Sequence, residues 1–264
     1  MIELYRGAWV VTYLEVLRFV RDRGRLISSL AFPLLFLTIF GVGFKNVVGS
    51  MAGGVDLIEF MYPGIVAMAV QMTALVAGVS VVQDRDAGFL KEILVAPLSR
   101  TGIVLGKAVG VAGVALLQAL MLIAVAPIVG VGIDLNLVLR LLPVVAILSL
   151  GLSGLGIMIA SFMRSQQGFQ MLINVLVFPM FFLAGVFFPV DSVPVWMEVL
   201  SKINPVTYGV DAIRQIFLGS APAGVGLGVT VLGHTMTLEE EIAVVSALGV
   251  ILLAGAVWAF GQQE

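Results

Sequence analysis

Side chains from which active sites are usually built are scarce in this 264-residue chain. It has no cysteine and one histidine, His234. That excludes thiolate metal sites, disulfides, a Cys nucleophile and histidine metal clusters. No HExxH, no Ser-Lys constellation and no paired carboxylates within an apolar segment are present, so hydrolytic and metal-assisted chemistry lack a starting point. One stretch, TGIVLGKA at 101–108, imitates the phosphate-binding loop G-x-x-x-x-G-K-[ST]. Thr101 replaces its first glycine and Ala108 its final hydroxyl, and the stretch opens an apolar helix rather than following a strand. No nucleotide site is expected there, and Lys107 reads as an interfacial positive charge. The notable polar groups inside apolar segments are Gln71, Thr73, Gln118, Ser149, Ser153, Asn174 and Ser246. None is ionisable, which argues against a proton relay.

The elements that must position these groups are membrane helices. Apolar residues make up 60% of the chain and charged residues 11%, against roughly 45–50% and about 25% in an average soluble chain. A water-soluble enzyme, a disordered protein and a nucleic-acid-binding module are excluded; the net charge of -2 offers no basic excess to a phosphate backbone. A spanning helix needs about 20 mostly apolar residues. Six segments qualify, at 26–44, 58–82, 102–132, 138–162, 168–190 and 242–261, the third long enough to tilt, to kink at Pro127 or to project. The expected fold class is therefore an all-α integral membrane protein, one transmembrane domain over 1–264. Arg6, Arg18, Arg21, Arg23, Arg25, Arg85, Lys91, Arg100, Lys107 and Arg164 fall on one side, and Lys45, Arg140, Lys202 and Arg214 on the other. Ten of the 14 basic residues thus place both termini in the cytoplasm of a multi-pass protein of the plasma (inner) membrane.

Four regions are not ordinary spans. In residues 1–25, Trp9, Tyr13, Val16 and Val20 share one helical face while Glu15, Arg18, Asp22 and Arg25 share the opposite one, the pattern of an amphipathic interfacial helix. In the loop at 83–101, Leu90, Ile93 and Leu94 form an apolar ridge among charges until Pro97 stops it. Such a ridge suits a groove on another protein or packing on its own bundle. Gly102, Gly106 and Gly110 recur every four residues and predict close helix packing, with Gln118 further along the row. Finally, residues 191–219 carry two pieces too short to span. Ser192 is expected to cap the first near Pro194; Asn204-Pro205 starts the second. They read as a re-entrant outer pair in which Asp211 and Arg214 neutralise each other, a plug or an outer gate. Residues 220–238 form an external glycine-rich loop with a solvated His234, and Thr237 and Glu240 fit a capping box.

With amphipathic N-terminal helix, six spans and a charged loop after the second, the sequence resembles the type-2 ATP-binding-cassette (ABC) export permeases. LAGVFFPVDSVPVWMEVLSKINPVTYGVDAIRQ is similar to the drug-resistance and nodulation-factor exporter permeases; YPGIVAMAV and QDRDAGFLKEILVAPLSR add a second match. The resemblance implies that the 83–101 loop holds a coupling helix received by a separate cytoplasmic ABC ATPase, with Asp84, Arg85, Gly88, Leu90, Glu92, Leu94, Pro97 and Arg100 at the pattern positions. Lys91 departs from the family's usual acidic or neutral group. Pro194, Trp196, Asn204, Pro205, Tyr208, Asp211 and Arg214 would form the outer gate. Spans two and five would face the substrate path, making Gln71, Thr73, Asn174, Phe178 and Phe182 candidate lining residues. It further implies a second copy of the chain, no cofactor here (ATP and Mg belong to the ATPase) and export of an amphipathic, drug-like or lipid-like compound. A polysaccharide-export permease, a non-transporting scaffold or accessory subunit and an autonomous secondary carrier are the alternatives.

Overall fold

A computed structural model describes residues 2–43, 56–86, 100–219, 228–231 and 233–262. Its elements, in chain order, are α1 (Ile2–Arg21), α2 (Arg23–Phe36) with a π-helical extension Leu37–Val42, α3 (Leu57–Leu75), α4 (Ala77–Asp86), α5 (Arg100–Val125), α6 (Leu135–Phe162), α7 (Gln166–Leu183), α8 (Val195–Ile203), α9 (Pro205–Leu218), a hairpin of β1 (Thr230–Val231) and β2 (His234–Thr235), and α10 (Leu238–Gly261). Among the described residues, six stretches are long and apolar enough to cross a membrane: Arg23–Gly41, Leu57–Gln83, Thr101–Val129, Leu135–Phe162, Gln166–Leu183 and Leu238–Gly261. The count matches the expectation from hydropathy.

The boundaries follow local chemistry. Asp22, Asp56, Asp134, Ser165, Asn204 and Thr237 each accept a hydrogen bond from a first-turn amide and so start α2, α3, α6, α7, α9 and α10. Thr237 and Glu240 complete the anticipated capping box, which carries the last span back to Leu238. The third span leaves α-helical geometry at Val125, where Pro127 falls in a 3₁₀ turn. The fifth ends earlier than its apolar run, because Gly185 turns the chain with φ of 74°. Ser192 departs from expectation: it closes a 3₁₀ turn, and α8 starts at Pro194 with no side-chain cap.

Helix α6 is the central post, packed against α3, α4, α5, α9 and α10. Against α10 the backbones nearly touch; a Cβ on Gly151 would lie 2.8 Å from the Gly249 Cα. The glycine stripe of α5 takes α1 as its partner. A Cβ on Gly106 would meet the Ala8 backbone at 2.8 Å, one on Gly110 the Glu15 side chain at 2.8 Å, and one on Gly113 the Val16 side chain at 3.1 Å. Residue numbers rise together along both helices, so α1 runs parallel to the start of α5. The row facing α5 includes Glu15 and Phe19, both buried, so the polar face read from the sequence is divided. Trp9, Tyr13 and Val20 remain exposed.

Side-chain bonds set the relative heights. Gln118 donates to the Ser29 carbonyl at 2.8 Å and accepts from the Thr73 hydroxyl at 2.5 Å. Ser29 lies roughly 9 Å from the start of α2, and Gln118 roughly 27 Å from the start of α5, at about 1.5 Å per residue. The first turns of α5 therefore extend well past Arg23 and Arg25, alongside α1.

Candidate functional site

At the end of the bundle where α4 ends and α5 begins, the two helices frame the loop singled out in the sequence. Gly88, Leu90, Glu92, Leu94 and Pro97 lie outside the described residues. Asp84 falls in the last turn of α4 and Arg100 is the first residue of α5. Arg85 donates to the main-chain carbonyl of Met163, the C-cap of α6, which braces α4 against the turn into α7. Lys107 is buried within the contact of α4 and α5, where its ammonium donates to Ser80 Oγ at 2.9 Å.

At the opposite end, α8 and α9 return into the bundle. The Asn204-Pro205 turn reaches the level of Leu248 and Gly249, with which Pro205 lines a small cleft. That is roughly 15 Å along α10 from its start, at about 1.5 Å per residue. Asn204 holds the turn twice, donating to the Met180 carbonyl at 2.6 Å and accepting from the Val206 amide at 3.1 Å. Tyr208 donates to the Lys202 carbonyl at 2.7 Å and Thr207 to that of Ser201 at 2.7 Å. Trp196, by contrast, is 66% exposed on α8 and touches none of this network.

Above the turn lies a buried charge cluster. Arg214 is 3.6 Å from the Asp211 carboxylate, donates to the Gly185 carbonyl at 2.5 Å and stacks 4.1 Å above the Phe60 ring. Asp211 also accepts from the Val229 amide at 2.9 Å, and Asp191 from the Thr230 amide at 3.0 Å, so two α8–α9 flanking carboxylates pin the hairpin. Asp191 pairs with Lys202 at 3.1 Å. Burial works against the Lys202 ammonium, but its bonds to Glu198 and Asp191 outweigh that and hold its pKa above the ordinary lysine range. The sequence reading missed the third ionisable side chain of the cluster, Glu241. It is fully buried, accepts from Gln215 at 3.0 Å and acts electrostatically on both Asp211 and Arg214. Its signal was spacing: Glu241, Val245 and Gly249 recur every four residues on the buried face of α10. His234, as expected, is exposed, 3.1 Å from Glu240.

The five candidate lining residues separate into two groups. Gln71 is fully buried and donates to the Val177 carbonyl at 3.2 Å, and Thr73 is bonded to Gln118, so both tie spans together inside one chain. Asn174, Phe178 and Phe182 recur every four residues on an exposed face of α7, where Asn174 bonds only sideways to Gln170 at 3.0 Å. Phe182 continues into an aromatic cluster with Phe187, Phe40, Phe36 and Phe181, ring centroids 4.9–6.3 Å apart, that joins the ends of α2 and α7. Behind that face, an apolar cavity of about 450 Å³ opens between α6, α7, α8 and α10, lined by Leu155, Val175, Met180, Leu200, Asn204 and Leu252 among others.

Comparison with known proteins agrees with this architecture. A family model described as "ABC-2 type transporter" matches residues 6–218. The chain is similar to "Probable multidrug ABC transporter permease YbhR" of Escherichia coli K12, 35% identical over 171 residues, which cover 61% of this chain and 44% of that protein. It thus spans under half the length of that relative. It is also similar to "Nodulation protein J" of Rhizobium leguminosarum bv. trifolii, 31% identical over 196 residues, 74% of each chain.

Proposed function

Because the chain belongs to the ABC-2 type transporter family, we propose that it is the permease subunit of an ATP-driven exporter moving an amphipathic, drug-like or lipid-like compound out of the cytoplasm or inner leaflet. ATP and Mg would bind a separate cytoplasmic ATPase, and two copies of this chain would enclose the path. The arginine-rich end would face the cytoplasm of the plasma membrane. The observation that carries this reading is the reach of α4 and α5: the family match runs through both, and α5 stands well beyond the level of Arg25. The 83–101 loop joins them and would serve as the wedge received by the ATPase.

In this reading ATP-driven closure of the ATPases pushes the wedge, and α5 passes the motion to α1 and, through Gln118, to α2 and α3. The permease itself needs only to bind cargo differently in two conformations. The open apolar face of α7, the aromatic cluster and the cavity behind it favour an amphiphile over a hydroxyl-rich polysaccharide, and the word "multidrug" in the name of the Escherichia coli relative points the same way. Replacing Leu90 and Leu94 together by Glu is expected to abolish cargo-stimulated ATP hydrolysis in the reconstituted complex while membrane insertion stays intact. Unchanged stimulation would remove the wedge from the mechanism.

A further inference from the structure

The crevice between α2, α3 and α5 has features that neither the wedge nor the path uses. It encloses about 170 Å³ and is lined by Phe19, Arg25, Ser28, Phe32, Met72 and Gln118, among others. Its floor is closed to further polar ligands, because Gln118 spends its amide on Ser29 and Thr73. Its walls are apolar and aromatic. Its mouth is cationic: Arg25 is exposed, with its guanidinium 5.8 Å from the ring centroid of the buried Phe19. Arg18, Arg21 and Arg23 are exposed nearby, at the junction of α1 and α2. The acids of this stretch offer little opposition, since Glu15 is buried against α5 and Asp22 caps α2 through the Arg25 amide at 3.0 Å.

A site with a positive rim, a largely apolar slot and a satisfied floor fits a molecule with an anionic head and a hydrocarbon tail. Basic pockets between membrane helices on the cytoplasmic side take the headgroups of anionic lipids. We propose that this crevice binds an anionic phospholipid of the inner leaflet, its phosphate on Arg25 and one acyl chain between Phe19, Phe32 and Met72. The choice of leaflet rests on the orientation proposed above; the binding chemistry does not. Because α1 meets α2 at this point, the bound lipid would brace the elbow between the wedge-side helix and the first span.

The test uses the purified full chain without ATPase, so failure of the export reading would leave it unaffected. Short-chain phosphatidylglycerol, phosphatidylcholine of the same chain length and inorganic phosphate are titrated separately, with retained lipid read by native mass spectrometry. Phosphatidylglycerol is expected to bind roughly five-fold more tightly than phosphatidylcholine, the equivalent of ~1 kcal/mol for one basic contact at a membrane surface. Arg25→Gln should erase that preference, whereas Arg23→Gln, exposed but outside the crevice, should keep it. Ser28→Leu, which narrows the slot without changing charge, should weaken both lipids. Equal loss in the two arginine variants would mean diffuse surface attraction and overturn the site. So would displacement of the lipid by inorganic phosphate, which would mark a soluble-anion site, or unchanged binding in Ser28→Leu.

Discussion

Arg214 is the residue on which the re-entrant end turns. It is 3% exposed and serves the Asp211 carboxylate, a carbonyl and an aromatic face at once. Burial lowers its pKa, while Asp211 and then Glu241 oppose that shift. Removing the cation leaves two buried carboxylates facing each other, and breaking a buried pair in this way costs about 3–5 kcal/mol. Arg214→Leu is therefore expected to lower the melting temperature in detergent sharply. Glu241→Gln removes a carboxyl that crowds Asp211 and can retain a bond to Gln215, so its melting temperature should stay level or rise; a fall like that of Arg214→Leu would refute this argument. The pair Asp211–Arg214 was legible in the sequence because three-residue spacing puts both on one helical face. Glu241 was not: in an acidic run beside a glycine-rich loop it looks solvated, and only the capping box that begins α10 early brings it under α9.

At the scale of elements, hydropathy alone was enough to count the spans, since every buried backbone group in a lipid-spanning helix must bond within its own segment. It was silent on what each helix leans against. The four-residue glycine rhythm of α5 announced a close neighbour, yet the neighbour is α1, which its amphipathic pattern assigned to the membrane surface. Glu15 explains the difference: its aliphatic stem packs on Gly110, so a charged letter in the sequence contributes apolar contact. A bulkier residue at the closest approach should separate the helices. Gly106→Val is expected to destabilise the protein by about 1–3 kcal/mol, the usual cost of overpacking, measured as a lower midpoint of thermal unfolding. The absence of native cysteine makes the geometry directly testable. Val16→Cys with Gly113→Cys should form a disulfide on mild oxidation, because the Cβ separation falls near the roughly 3.5–4.5 Å that such a bond requires. Failure of that pair to link, detected by peptide mass spectrometry, would remove α1 from α5.

For the whole molecule, the unsolved surface is the face of α7 that carries Asn174, Phe178 and Phe182. Met171 and Val175 beside them are 72% and 63% exposed, which suits lipid, but Asn174 does not. An amide pointing at hydrocarbon is costly unless another helix supplies a partner, and amides in membrane helices commonly bond across to one. Gln170 satisfies only the Asn174 carbonyl oxygen, leaving the rest of both amides to an outside group. The second copy proposed above would, across a two-fold axis, supply the same polar pair in reverse, since an isologous contact sets a patch against itself. Asn174→Cys is therefore expected to give an oxidised dimer in membranes, while Met158→Cys, turned toward α10 beside Gly255, should stay monomeric. If the two variants cross-link equally, collision in the bilayer explains both and α7 does not face its copy. If only Asn174→Cys links, and Asn174→Leu weakens the dimer recovered from mild detergent, the polar step on an otherwise greasy helix is what aligns the two halves of the path.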